Sequence, residues 1–194
     1  MHAARYAGRV FADFLDLNQP LLKTQEALLS ADACERYIER FHAEKAELAP
    51  IVGPQGEAID LTLRNNTRIM WDSFDEAAEL LDRARPIVPP SFKGQRLVGA
   101  NERLRIYRYA PGEKHSAHWD TEVELPGRRS RVTLVFYLND DFEGGHTAFP
   151  ELGESIAPKR GRALCFQHRV LHTAQPVESG AKFVLRTDIF YESA

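Results

Sequence analysis

Cysteine is nearly absent from this 194-residue chain. The two present, Cys34 and Cys165, lie far apart in segments of different kinds, which excludes a disulfide framework and a paired-cysteine zinc site. A reducing compartment is the expectation. Long apolar runs are missing too: the longest lies around Leu134–Leu138, far short of the ~20 residues that span a bilayer. The N-terminal stretch MHAARYAGRVFADFLDLNQP scatters Arg5, Arg9, Asp13 and Asp16 among its apolar residues and so lacks the core of a signal peptide. These absences predict a cytoplasmic protein with no membrane partner. Charge of one sign is lacking as well. With 25 Lys+Arg against 28 Asp+Glu and a net charge of −3, nothing marks the chain as a binder of nucleic acid.

What is present suffices for one domain. An apolar fraction of 43% is too high for disorder, and the length fits a single hydrophobic core. The two halves carry different periods. From Ser30, the segment SADACERYIERFHAEKAEL places Cys34, Ile38 and Phe41 at helical spacing, with Asp32 and Glu35 offered as a capping box. A second helix is expected from Ser73, with Glu76 three residues on, through Leu80, Leu81 and Ala84 to the stop at Pro86. From about residue 97, short runs such as RLRIYRY, RVTLVFYLN, RALCF and KFVLRTDIFY alternate with turn signals at Pro111-Gly112, Pro126-Gly127, Gly144-Gly145, Gly161 and Gly180. Strands without intervening helices predict an antiparallel sandwich or barrel such as a jelly roll, with the helices covering one outer face. Residues 1–96 then read as a helical support region with some strand, and 97–194 as the β-core. In RLRIYRY, parity sends Leu104 and Ile106 toward the helices, and Arg105, Tyr107 and Tyr109 toward the mouth.

Three residues carry the chemistry. His118 and Asp120 are two apart, so on a strand they share one face, roughly 6.6 Å apart along the backbone. His172 lies beside another expected strand. Two imidazoles and one carboxylate on one side of a metal make the facial triad of non-haem Fe(II) oxygenases, with positions left open for cosubstrate and oxygen. His168 competes with His172 as the distal ligand. His115 either points toward the site or, in the favoured reading, sits at the surface or in a loop.

The stretches IYRYAPGEKHSAHWD, SRVTLVFYLNDDFEGGHTAFP and LHTAQPVESGAKFVLRTDIFY resemble, in order and spacing, the catalytic domain of the prolyl 4-hydroxylase-like 2-oxoglutarate- and Fe(II)-dependent dioxygenases. The resemblance implies a double-stranded β-helix, a jelly-roll relative of the cupins, with helices packed on its major sheet. It implies that His118, Asp120 and His172 bind iron. It further implies that Lys182, ten residues after His172, binds the far carboxylate of 2-oxoglutarate, helped by Thr147 and lined by Tyr109 and Tyr137. Fe(II), 2-oxoglutarate and O2 would be the cofactors, with ascorbate in support. The reaction implied is hydroxylation of an unactivated C–H bond in a prolyl, other amino-acid or peptidyl substrate, or in a small natural product. His146 before Thr147, Ala174 after His172 and Trp119 inside the HxD depart from the family pattern.

Other readings stand beside these. Arg186 either anchors the cosubstrate in place of Lys182, meets a substrate carboxylate, or pairs with Asp188. Arg105 and Trp119 are candidates for substrate binding, against a solvated arginine and a space-filling ring. Arg64 to Asn66 read as a loop over the site or a simple turn, and TEVELPGRRS after Asp120 as a lid or a solvated hairpin. From Lys93 to Lys114, six cationic residues face two acidic ones, a basic approach suited to an anionic cosubstrate. The rival classes are a cupin-like metal-binding module without turnover, and a hydrolase or isomerase using another metal.

Overall fold

Two helices form where the periodicity places them. The first, α1 (Ala31–Ala43), is capped by Ser30, whose hydroxyl accepts from the Ala33 amide at 3.2 Å. The cap is therefore Ser30 and not an Asp32/Glu35 box. The second, α2 (Phe74–Ala84), is capped by Ser73, which accepts from the Glu76 amide at 3.3 Å. It ends two residues before Pro86, whose missing N–H cannot extend the helix. The computed structural model describes residues 12–53 and 55–192; most of the N-terminal stretch read above for its scattered charge lies outside them. Among the described residues no helix is long and apolar enough to cross a membrane.

The rest is mainly antiparallel β. One large sheet runs in the order Leu22–Gln25, Ala163–Gln167, Arg128–Tyr137, Lys182–Glu192, Arg103–Tyr109, Thr67–Asp72 and Glu47–Leu48, with short strands added along its side. A four-stranded sheet runs Glu154–Ile156, Thr147–Phe149, His172–Ala174 and His115–His118. Both remain open, and among the described residues no ladder joins them into a closed or curled sheet. The expected double-stranded β-helix, or jelly roll, is thus corrected to a mainly β arrangement of open sheets with limited helix. The outermost strands show why they end there: Leu22–Gln25 and Glu47–Leu48 have only four and two residues, and they carry Lys23 and Glu47 on an edge, a combination that blunts further pairing.

Alternation sorts the large sheet into two apolar clusters. Leu104, Ile106, Leu134, Phe136 and Leu185 pack with Cys34, Phe41, Leu80 and Leu81 of the helices. Their sequence neighbours Tyr107, Tyr109, Tyr137 and Val184 turn the other way and pack with Phe149 of the small sheet. Parity alone therefore gives the correct faces for RLRIYRY. Fully buried Phe136 holds the helix layer on, and truncating such a ring costs about 3–5 kcal/mol. Gly161 ties in the segment before α1: its carbonyl accepts from the Leu28 and Leu29 amides, and at φ +76° a Cβ would stand 2.3 Å from the Leu29 oxygen. No side chain fits there.

The first half also supplies sheet. Thr67–Asp72 pairs along Arg103–Tyr109 with Arg68 opposite Tyr107. That pairing brings the preceding Arg64 to Tyr107 and to His115, its partner in an isolated bridge.

Candidate active site

The small sheet sets His118 directly opposite His172. Two residues beyond, Asp120 is fixed by its own amide, which donates to the His168 carbonyl at 3.0 Å. The ligand-capable atoms of His118, Asp120 and His172 all lie within 4.8 Å of one another. Each imidazole has its Nδ1 on a backbone carbonyl, Ser116 at 2.7 Å and Val170 at 3.0 Å. A carbonyl only accepts, so both Nδ1 carry the proton and both Nε2 lone pairs are free. Those Nε2 atoms stand 3.7 Å from the two Asp120 oxygens. This is how metal-ligating histidines are oriented.

Electrostatics keep the three groups in ligand form. Burial, then the neighbouring His172, push the His118 imidazole down to about 3 against the pull of Asp120. Burial likewise lowers His172. For Asp120 burial pushes upward, but Arg186 foremost, then the two histidines, hold it well below the usual carboxylate range. Its Oδ2 accepts from the Thr133 hydroxyl at 2.5 Å, and its Oδ1 lies 3.0 Å from the Arg186 guanidinium.

Two chambers open from this cluster. The inner one, about 60 Å³, is closed at its far end by Lys182, Tyr109, Tyr137 and Thr147. Lys182 is buried, and its Nζ donates to the Gly145 carbonyl at 2.5 Å. Gly145 has no side chain to crowd the lysine stem, which a Cβ would approach to 3.1 Å. Burial alone drops the Lys182 ammonium to about 7. The Tyr137 hydroxyl donates to Thr147 at 2.7 Å. Ala174 forms part of this wall, whereas His146 turns away to Ser155.

The outer chamber is larger, about 460 Å³, and is lined by Arg64, Arg105, Tyr107, Trp119 and Arg186 among others. Arg105 and Arg186 share the buried Asp188 carboxylate, each at 3.1 Å. The pairing with Asp188 is thus present for Arg186, together with a contact to Asp120 and not to Lys182. Trp119 is 40% exposed at the rim. The TEVELPGRRS segment forms a hairpin pairing Glu124–Leu125 with Arg128–Arg129, and its first residues, Thr121 to Val123, line the chamber.

Of the two remaining histidines near the site, His115 departs from the favoured reading, whereas His168 takes the structural position expected once His172 is preferred as the distal ligand. His115 is not a surface residue: it stacks on His118 with ring centroids 3.5 Å apart and lines both chambers. His168 stays outside the cluster, buried with its Nε2 3.7 Å from Asp188. Sequence reasoning also missed Arg64, Tyr107 and Thr133 as site residues. Parity placed Tyr107 on the right face, and the polar RNN run was the only mark on Arg64.

Comparison with known proteins agrees with this geometry. The 2OG-Fe(II) oxygenase superfamily matches residues 104–187. A protein of Acanthamoeba polyphaga mimivirus, named as a candidate prolyl 4-hydroxylase, is 33% identical over 150 residues, 64% of this chain and 57% of its own. Human prolyl 4-hydroxylase subunit alpha-1 is 32% identical over 104 residues, 45% of this chain and 20% of the subunit. The chain therefore spans well under two thirds of these relatives. A Pseudomonas putida prolyl-4-hydroxylase structure shares the fold with a TM-score of 0.64 at 21% identity, over 90% of this chain and 95% of that one. Residues 104–187, which hold the His-Asp-His cluster, thus match the 2OG-Fe(II) oxygenase superfamily, and the chain is similar in sequence to prolyl 4-hydroxylases and shares their fold.

Proposed function

We propose that this protein hydroxylates an unactivated C–H bond of an amino-acid-like substrate, using Fe(II), 2-oxoglutarate and O2. One observation carries the reading: two Nε2 lone pairs and a carboxylate converge beside a chamber that ends on a buried lysine. The donor set fits a divalent iron, because two neutral imidazoles and one carboxylate on one side are the ligands of that triad. When bound, iron with 2-oxoglutarate and O2 supplies the oxidising chemistry, in which the cosubstrate becomes succinate and CO2 and the substrate C–H becomes C–OH.

The chain's own residues do the positioning. His118, Asp120 and His172 hold the metal, with Thr133 and Arg186 fixing the two Asp120 oxygens. Lys182 receives the far carboxylate of 2-oxoglutarate, and the hydroxyls of Tyr109 and Thr147 donate hydrogen bonds beside it, with Tyr137 donating to Thr147 and so orienting it. Tyr109 and Tyr137 also put ring faces 5.0 and 5.8 Å from the ammonium, which favours its charged form. The apolar wall of Val135, Phe166 and Val184 excludes water from the cosubstrate. Arg105 and Trp119 meet the substrate in the outer chamber.

The names of the relatives point to a prolyl or other amino-acid substrate, peptidyl or free. The test is an aerobic assay with Fe(II), ascorbate and 2-oxoglutarate, read by succinate and by a one-oxygen mass gain in candidate substrates. Metal- and oxygen-dependent succinate that disappears in Asp120→Ala supports the reading. Succinate that is absent, or independent of metal, overturns it.

A further inference from the structure

Charges in the two chambers do not cancel. Arg68 is matched by Glu47 and Glu57, and Glu122 by Arg131 and Arg129. What remains around the centre is Arg64, Arg105, Lys182 and Arg186 against Asp120 and Asp188. Asp188 serves Arg105 and Arg186, and Arg186 also serves Asp120. Arg64 is different. It is 7% exposed, and its guanidinium reaches the Asn66 side-chain oxygen at 2.9 Å, the Pro50 carbonyl at 3.0 Å and the hydroxyls of Tyr107 and Tyr109, none of them a carboxylate. No carboxylate of the described residues pairs with it. A buried cation without a counter-charge is costly, and an arriving anion removes that cost.

The neighbours report the same positive field. Arg64 lies over the Tyr107 ring, 4.6 Å from its centroid. Burial pushes the Tyr107 phenol upward, yet Arg64, Arg105 and Arg186 bring it down to about 8. An Fe(II) dication and a 2-oxoglutarate dianion cancel each other, so filling the proposed cofactor sites leaves the positive excess where it is. The far carboxylate of the cosubstrate already has Lys182 and the hydroxyls of Tyr109 and Thr147 at the inner end.

Resting on the oxygenase reading above, the geometry points to a substrate that is a small-molecule carboxylate, whose anionic group is bound by Arg64 at the junction of the outer chamber with the metal cluster. A chamber of about 460 Å³ suits a ligand of that size, within the range of small-molecule sites. Arg64 supplies the planar, permanently charged donor that carboxylates favour. It is a specificity-determining residue, acting on which substrate enters.

The experiment compares free acids with their uncharged carboxamides. Cyclic and aliphatic amino acids and dicarboxylic acids, each beside its amide, are titrated calorimetrically into protein holding Mn(II) and 2-oxoglutarate, then assayed for hydroxylation with Fe(II). The result expected is binding by at least one acid and a preference over its amide of about tenfold or more, since a site built around a polar group rejects analogues lacking it. Arg64→Gln loses that preference, Arg64→Lys keeps part of it, and the KM for 2-oxoglutarate moves by less than about threefold in both. Amides that bind as well as acids overturn the inference, as does failure of every acid to bind. So does a glutamyl peptide preferred over every small acid, or an Arg64→Gln effect confined to the 2-oxoglutarate KM. Should Arg64→Gln fail to fold, the acid-to-amide ratio of the wild-type protein decides alone. Acid binding without any succinate would uphold this site while overturning the oxygenase reading, so the two failures are separable.

Discussion

The inner and outer chambers meet at His115, His118, Arg64, Tyr107 and Arg186, yet different parts of the chain build them. Apart from Arg64, every residue lining the inner chamber comes from position 107 onward, mostly on strands whose alternation fixes which side chains face inward. The outer chamber takes Pro50, Ile51, Val52, Glu57, Leu63, Arg64 and Arg68 from the first half, together with the residues after Asp120. Two of these are exposed and apolar, Val52 at 59% and Leu63 at 43%. The chamber for the chemistry is thus held by paired backbone, and the chamber for recognition by a small hairpin and connecting segments. Loops on a rigid scaffold are where specificity can vary without disturbing the reaction.

Mutations should separate the two chambers by the quantity they move. The largest effect is expected from His118→Ala or Asp120→Ala, which remove a metal ligand and should lower turnover by about a thousandfold or more, with loss of tight metal binding. Turnover retained in either variant, measured by succinate release, would break the assignment of the inner chamber. Next, Lys182→Ala should raise the KM for 2-oxoglutarate by about ten- to a hundredfold while leaving metal affinity nearly unchanged. A normal KM there would shift the anchor to Arg186.

The same lysine gives a pH signature. Its folded value, pushed down to about 7, lies below the ordinary lysine value of about 10.4. Between those values the unfolded chain binds the extra proton, so this group's contribution to stability rises with pH, and its burial cost is felt in full below about 7. Lys182→Met should therefore raise Tm most below pH 7, with the gain shrinking toward pH 10. A Tm difference that is flat with pH would contradict the buried, unpaired ammonium. Above pH 7 the neutral amine must also take up a proton when the dianion binds, and calorimetry in buffers of different ionisation enthalpy reads that uptake.

Smaller effects belong to the periphery. Trp119→Ala at the rim should change the substrate KM by about three- to tenfold and leave the 2-oxoglutarate KM alone. An effect on the cosubstrate instead would blur the two chambers into one. Ser73→Ala, which deletes the α2 cap on the far layer, should cost about 1 kcal/mol in urea unfolding with no change in either KM.

How much of this the sequence carried follows the same division. His118 and Asp120 were legible because period-2 alternation places them on one face, and the helices because Ser73, Glu76 and Pro86 punctuate the second one. Closure of the sheet was not legible. Alternation determines which way residues face, whereas whether edges meet depends on how two- to four-residue edge strands pair, and no local pattern encodes that. Arg64 was left open between a loop over the site and a turn, and His115 was misjudged, for a related reason. Their positions depend on the long-range register of Thr67–Asp72 against Arg103–Tyr109 and on a single bridge between residues 64 and 115. The Ser30 cap was mistaken for a capping box two residues later because Asp32 and Glu35 match the same short pattern.

The most direct test of the central claim is an anaerobic titration of the protein with Fe(II) and 2-oxoglutarate, followed in the visible range. The account predicts a weak charge-transfer band that saturates with one iron and one 2-oxoglutarate per chain, needs a much higher 2-oxoglutarate concentration in Lys182→Ala, and is absent in Asp120→Ala. Its absence from the wild-type protein at saturating concentrations, with no succinate on admitting air, would contradict the account.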